Sequence, residues 1–287
     1  MRWQGRRGSR NIEDRRGRRS AGRIAGGAGG LGIGGLLLVV AVGWFFGIDV
    51  SPLLTGGGGG GTVQQTSAPS EQEQREAEFV SVVLADTEEV WSQIFETQVG
   101  EPYTPPTLVL FSDVTQSPCG GASGATGPFY CPGDRKAYLD TAFFTTLEQR
   151  LGAQGDFAAA YVVAHEVAHH VQNELGILSQ ANQIRAQATE EQSNAVSVRI
   201  ELQADCYSGI WARAAQERFG SLERGDLEEA VNAARQIGDD ELQRSAGRVP
   251  MPHTFTHGTS EQRARWFQTG YETGALEQCD TFSAPNL

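Results

Sequence analysis

Positive charge is scarce in most of this chain. The 287 residues carry a formal net charge of −12, yet the first 23 hold nine arginines against Glu13 and Asp14, a local balance of +7 that leaves −19 for the rest. Phosphate binding needs a clustered basic surface, so an acidic body of this kind excludes nucleic acid as the expected partner. Histidine is also rare: His165, His169, His170, His253 and His257 are all there are. Any histidine-based site must be assembled from these five. Between Ile24 and Ile48 no charged residue occurs.

That uncharged stretch ends in Leu36 to Phe46, and about 20 apolar residues suffice for a helix to cross a bilayer. Arginines crowd its N-terminal side only. The expectation is a basic cytoplasmic tail over 1–23, a transmembrane helix over 24–48 and a body placed outside the cytoplasm, which makes the membrane itself a partner through a single-pass anchor in the cell membrane. No small-x-small pattern closely follows the apolar run, which argues against a cleaved signal peptide. Residues 49–70 contain the unbroken run Gly56 to Gly61 and then Gln, Ser, Thr and Pro, the composition of a flexible tether. Residues 71–287 are long enough for one domain with one core.

Within that domain, His165-Glu166-Val167-Ala168-His169 puts two imidazoles one helical turn apart with a carboxylate between them. Positions i and i+4 share a helix face, so both rings can reach one tetrahedral ion, and Zn2+ is the expected cofactor. Glu166, at the edge of that face, is placed to act as a general base. Phe157, Ala160, Tyr161, Ala164, Ala168 and Val171 give the helix its apolar spacing, with Asp156 as the expected N-cap and Gly176 as terminator.

Two histidines leave a catalytic zinc short of a third protein ligand, and no further histidine follows His169 at the short spacing of metzincins. A carboxylate from a later helix is the better candidate. Arg199 to Tyr207 contains Glu201 and Asp205, again four apart. One can bind the ion while the other accepts the N–H of a ligating histidine. Asp205 as the direct ligand is the main alternative, and Glu190 and Glu191 are nearby competitors.

His165-Glu-Val-Ala-His169 followed by Glu201-Leu-Gln-Ala-Asp205 resembles the gluzincin arrangement. Together with Ser117-Pro-Cys-Gly, Gly127-Pro-Phe-Tyr-Cys-Pro and His257-Gly-Thr-Ser-Glu-Gln-Arg263, it resembles the bacterial family of membrane-anchored neutral zinc metallopeptidases. The resemblance implies an α+β, zincin-like domain that is mostly helical with a small sheet. It implies His165, His169 and Glu201 as ligands, Glu166 as base, Asp205 behind the ligands and a peptide or protein substrate.

Other residues have competing explanations. His257 precedes Thr259 and Gln262, a capping-box pair that opens a helix, and can turn into the cleft to stabilise an oxyanion; it can equally be a loop residue. Arg263 reads as a solvated helix charge, and His170 points about 100° away from His169. Thr107 to Phe111, Phe129-Tyr130 and Ala137 to Leu139 read as short strands, with the run near Tyr138 the candidate edge for pairing with substrate. Four cysteines suggest the pairs Cys119 with Cys131 and Cys206 with Cys279, the first closing a local Gly-rich loop. The reading is a zinc peptidase with Glu166 and His257 as catalytic groups. A tethered binding or assembly protein with a structural zinc is the alternative, disfavoured because such a site has no use for Glu166.

Overall fold

The computed structural model describes residues 1–17, 69–123, 127–149 and 151–287. Helix α1, Glu71–Ile94, starts at a reciprocal cap: the Ser70 hydroxyl accepts from the Glu73 N–H, and the Glu73 carboxylate accepts from the Ser70 N–H. Phe79, Val80, Val83, Leu84, Val90 and Trp91 form its buried face. A wider turn over Phe95–Val99 carries it to Gly100, whose φ of +81° ends it.

A sheet with strand order β1-β2-β6-β5 lies beside the helices. It comprises β1 (Ile12–Asp14), β2 (Thr107–Phe111), β5 (Phe129–Cys131) and β6 (Lys136–Asp140). The first three in spatial order run parallel, and β5 is antiparallel to β6. Alternation sends Leu108 and Leu110 of β2 into the main core, while Val109 and Phe111 join Cys131 and Tyr138 on the other face. A separate hairpin, β3 (Val114–Ser117) with β4 (Gly120–Ser123), is tied back to β5 by the Cys119–Cys131 disulfide.

Helices fill the remainder: α2 (Ala142–Gln149), α3 (Asp156–Glu174), α4 (Ile177–Arg185), α5 (Glu190–Phe219), α6 (Asp226–Gln236), α7 (Asp239–Ser245) and α8 (Ser260–Thr273). Central α3 is buried from Phe157 to Val171 except at His169. It packs against α1, α5, α6 and the sheet. Alanine at 158, 159, 160, 164 and 168 lets those neighbours approach. Helices α5 and α8 approach closely. A Cβ on Gly209 would collide with the Phe267 carbonyl oxygen, and one on Gly270 with that of Cys206. These two glycines therefore set the helices backbone to backbone. The disulfide Cys206–Cys279 fastens the same junction.

The expected transmembrane helix and single-pass topology require correction. Among the described residues no helix is long and apolar enough to cross a membrane, and residues 24–48 lie outside the described residues, as does most of the Gly-rich tether. The N-terminal segment also argues directly against that topology, because it is built into the folded body. β1 pairs with β2 in register Ile12↔Leu108, and Arg15 N–H donates to the Leu110 carbonyl at 2.8 Å. Arg6 makes two 2.7 Å bonds to Asp86, Arg16 pairs with Asp14 and the Glu73 carbonyl, and the Met1 ammonium meets Asp156 and Asp226. A tail held on one side of a bilayer cannot be a strand of a sheet on the other. Of the arginines that suggested a topology signal, Arg6, Arg7, Arg15 and Arg16 are engaged in internal pairs.

Two smaller expectations also change. β6, which carries Tyr138, is an interior strand, and β5 and β1 are the edges. The N-cap of α3 is Gly155, one residue before the expected Asp156.

Candidate metal centre

His165, Glu166 and His169 face α5 from the middle of α3, where the backbone is held by packing on all sides. Opposite them is Glu201, in a helix whose start is fixed by the reciprocal Thr189–Gln192 cap. His165 Nε2 lies 3.0 Å from Glu201 Oε2 and His169 Nε2 lies 3.5 Å from Glu201 Oε1. One ligand-capable atom from each of these three residues falls within 4.8 Å of the other two. Glu190 and Glu191, by contrast, sit exposed in the first turn of α5.

The other nitrogen of each imidazole is occupied from behind. His169 Nδ1 donates to Gln172 Oε1 at 2.9 Å, and the Gln172 amide donates to the Ile200 carbonyl at 2.8 Å and to Gln203 Oε1 at 3.0 Å. His165 Nδ1 lies 3.0 Å from Asp205 Oδ1, without the alignment of a regular hydrogen bond. Both Nε2 atoms are left facing Glu201. Two imidazole nitrogens and a carboxylate are a donor set that suits zinc, and the bond to Gln172 fixes which nitrogen the His169 ring presents.

Asp205 is fully buried and held by Arg263, whose Nε donates to Oδ2 at 2.9 Å and Nη2 to Oδ1 at 3.0 Å. The Tyr161 hydroxyl also donates to Oδ1, and Arg263 Nη2 reaches that hydroxyl at 3.2 Å. Arg263 is only 2% exposed, so it is an interior charge and not a solvated one. It reaches Asp205 because Gly209 and Gly270 let α8 lie against α5. Burial works against ionised Asp205, but Arg263 and His165 together outweigh it and hold the carboxyl below its ordinary value.

The same balance recurs at the front. Burial disfavours charge on Glu201, yet His169 and His165 hold its carboxyl well below the usual range. Burial lowers the His165 pKa, while Asp205 and Glu201 together push it up to about 9. Glu166 differs. Burial pushes its carboxyl up, the two imidazoles only partly offset this, and its Oε2 has no hydrogen-bond partner among the described residues. It is 8% exposed and lines a cleft of about 470 Å³.

His257 lines the same cleft, with its side chain 47% exposed. Its loop is organised by Asp239, the first residue of α7. Asp239 Oδ2 accepts from the N–H groups of Thr256, His257 and Gly258 at 2.7, 2.6 and 3.0 Å, while Oδ1 lies 3.3 Å from His257 Nδ1. Desolvation in the cleft opposes charge on the ring, but Asp239 and Glu201 raise its pKa. The Thr259–Gln262 cap is present as expected. His253 is exposed in a short turn and does not line the cleft. His170 turns away, its Nε2 2.7 Å from the Thr104 carbonyl oxygen, and burial brings its pKa down to about 4.

The arrangement thus unites His165, Glu166, His169, Glu201, Asp205 and His257, and adds Gln172, Asp239, Tyr161 and Arg263. Gln172 had a readable signal, since a residue three positions after a ligating histidine lies on the same helix face. The Arg263 contact, between residues 58 apart, had none.

A family model described as "Putative neutral zinc metallopeptidase" matches residues 1–282. The chain belongs to this family. Membership supports zinc-dependent peptidase chemistry in general. The chain is similar to uncharacterized protein YpfJ of Escherichia coli K12, 49% identical over 98% of this chain and 99% of that protein. It is also similar to uncharacterized protein Rv2575 of Mycobacterium tuberculosis and uncharacterized protein Mb2605 of Mycobacterium bovis. Each is 46% identical over 64% of this chain and 65% of the relative. No solved structure matches.

Proposed function

We propose that the chain hydrolyses peptide bonds, with His165, His169 and Glu201 holding one zinc ion, Glu166 as general base, His257 as oxyanion donor and Asp205 orienting His165. The observation that carries this reading is the meeting of two Nε2 atoms and a carboxylate beside a buried glutamate oxygen that has no hydrogen-bond partner among the described residues. A structural site gains nothing from that oxygen. When bound, a zinc ion supplies Lewis acidity and makes nearby water more acidic.

The chain's own groups do the rest. Glu166 accepts a proton from the attacking water at its carboxylate and returns it to the leaving nitrogen; a carboxyl raised by burial suits both transfers. Asp239 accepts from His257 Nδ1 and favours the doubly protonated ring, whose Nε2–H donates to the carbonyl oxygen as negative charge builds there. Asp205, held by Arg263, keeps the His165 ring in one orientation. Edge strand β5, whose Phe129 and Tyr130 line the cleft, offers main-chain groups to an extended peptide.

The test compares Glu166→Gln with Glu201→Ala on a fluorogenic peptide library, with zinc content measured in parallel. Glu166→Gln should keep its zinc and lose about 10²–10⁴ in kcat. Glu201→Ala should lose the zinc itself. Full turnover in the Glu166 variant overturns the assigned base, and unchanged zinc in the Glu201 variant overturns the assigned ligand.

A further inference from the structure

His170 follows a proposed ligand but serves a different surface. Both of its ring nitrogens are engaged inside the protein: Nε2 lies 2.7 Å from the Thr104 carbonyl oxygen, and Nδ1 lies 3.0 Å from the Tyr130 hydroxyl. A carbonyl oxygen only accepts, so Nε2 carries the ring proton. Nδ1 must then accept, and the Tyr130 hydroxyl donates to it. The side chain is fully buried, with the rings of Tyr103 and Tyr130 packed edge-on against it at 5.8 and 5.5 Å.

Tyr130 is the middle residue of β5, and its neighbours point the other way. Phe129 stacks on Tyr138 at 4.9 Å, and Cys131 joins that same outer cluster. Tyr130 alone of the three turns towards α3, packing beside Leu178 and Ile200 of the cleft wall. A second polar link between α3 and the β5–β6 hairpin, Glu174 with Arg135, lies in the partly exposed turn beyond. Among the described residues, the buried polar link between the helix that carries His165, Glu166 and His169 and the strand that borders the cleft therefore runs through His170. Packing alone would not call for it, since an apolar ring could fill the space without committing two polar partners.

We infer that His170 is a positioning residue: its hydrogen bond to Tyr130 fixes the height of edge strand β5 over α3, and so where an extended peptide laid along β5 presents its carbonyl to Glu166 and the ligands. This rests on the peptidase reading. Adjacent histidines divide the work, His169 facing the ion and His170 facing the strand that receives substrate.

The test uses Tyr130→Phe, which removes one hydroxyl, and His170→Leu beside the conservative His170→Gln, all in the full chain. Each is assayed on a six-residue peptide and on a blocked dipeptide that offers no strand to β5. For Tyr130→Phe, kcat/KM on the long peptide should fall about threefold to tenfold, mainly through KM, the range set by one net hydrogen bond. The loss on the blocked dipeptide should be smaller. His170→Leu should show the same selectivity more strongly, and His170→Gln should recover part of it. Amide hydrogen exchange over residues 127–131 of the zinc-free protein should quicken in Tyr130→Phe. Equal losses on both substrates, or an unchanged KM with unchanged exchange, overturn the inference. A wild type that binds zinc and cleaves neither substrate overturns the peptidase reading; the mechanical link between α3 and β5 is then decided by exchange alone.

Discussion

Replacing Arg263 with methionine removes a charge while keeping much of the side-chain volume, and it does so where the structure leaves no replacement partner from solvent. Asp205 would lose the Nε and Nη2 bonds at 2.9 and 3.0 Å and would remain at 0% exposure with Tyr161 and His165 as its company. Breaking a buried pair from one side costs about 3–5 kcal/mol. The raised pKa of His165, about 9, leaves an imidazolium beside Asp205 in zinc-free protein at pH 7 and places the expectation at the lower end, about 3 kcal/mol. Against a typical stability of about 5–15 kcal/mol that is a large loss. In the double variant Arg263→Met, Asp205→Asn no unpaired charge remains, so the combined loss should be about 1–3 kcal/mol smaller than the sum of the single losses. Urea unfolding of the zinc-free proteins at pH 7, followed by circular dichroism, measures all three terms without stabilisation by bound metal. A loss below about 1 kcal/mol for Arg263→Met, or additive single effects, would refute the coupling.

Three further outcomes follow from other contacts. Gln172→Ala frees the His169 ring from its rear acceptor and should weaken zinc binding about 10–100-fold in competition with a chelating dye; unchanged affinity would remove Gln172 from the site. Because Asp239 raises the His257 pKa, Asp239→Asn should move the alkaline fall of kcat/KM to lower pH if protonated His257 is the active form, and an unmoved limb would exclude that role. Glu13 is held down to about 2, from an ordinary 4.5, by hydrogen bonds from Arg15 and Lys136. Its depressed pKa contributes stability that is present above pH 4.5 and lost as pH falls through about 2, so the urea midpoints of wild type and Glu13→Gln should differ at pH 6 and converge in strong acid. Equal midpoints at pH 6 would show that β1 is not held by this carboxylate.

What the sequence disclosed and what it hid divide along the distance between partners. His165, Glu166 and His169 were legible because a helix places i and i+4 together whatever surrounds it. The cap at Thr259 was legible for the same reason, since it closes within three residues. Glu201 and Asp205 shared a helix face, but which of them meets the imidazoles depends on how α5 lies against α3. Sheet order was hidden too: nothing local distinguishes the run around Tyr138 as interior and Phe129–Cys131 as the edge.

The N-terminal arginines show why a count of charges misled. Nine of one sign beside an uncharged stretch resemble a topology signal when only net charge is read. Arg6 instead finds Asp86, 80 residues on, and Arg16 finds the main-chain oxygen of Glu73. Arg263 errs in the same direction, taken for solvated when it is the counter-charge of Asp205. In both cases the acidic excess of the body supplies the interior partners of its cations. Arg263, through Asp205, extends that pairing to the orientation of His165. The centre's geometry therefore depends on helix contacts formed far along the chain as much as on the local histidine spacing.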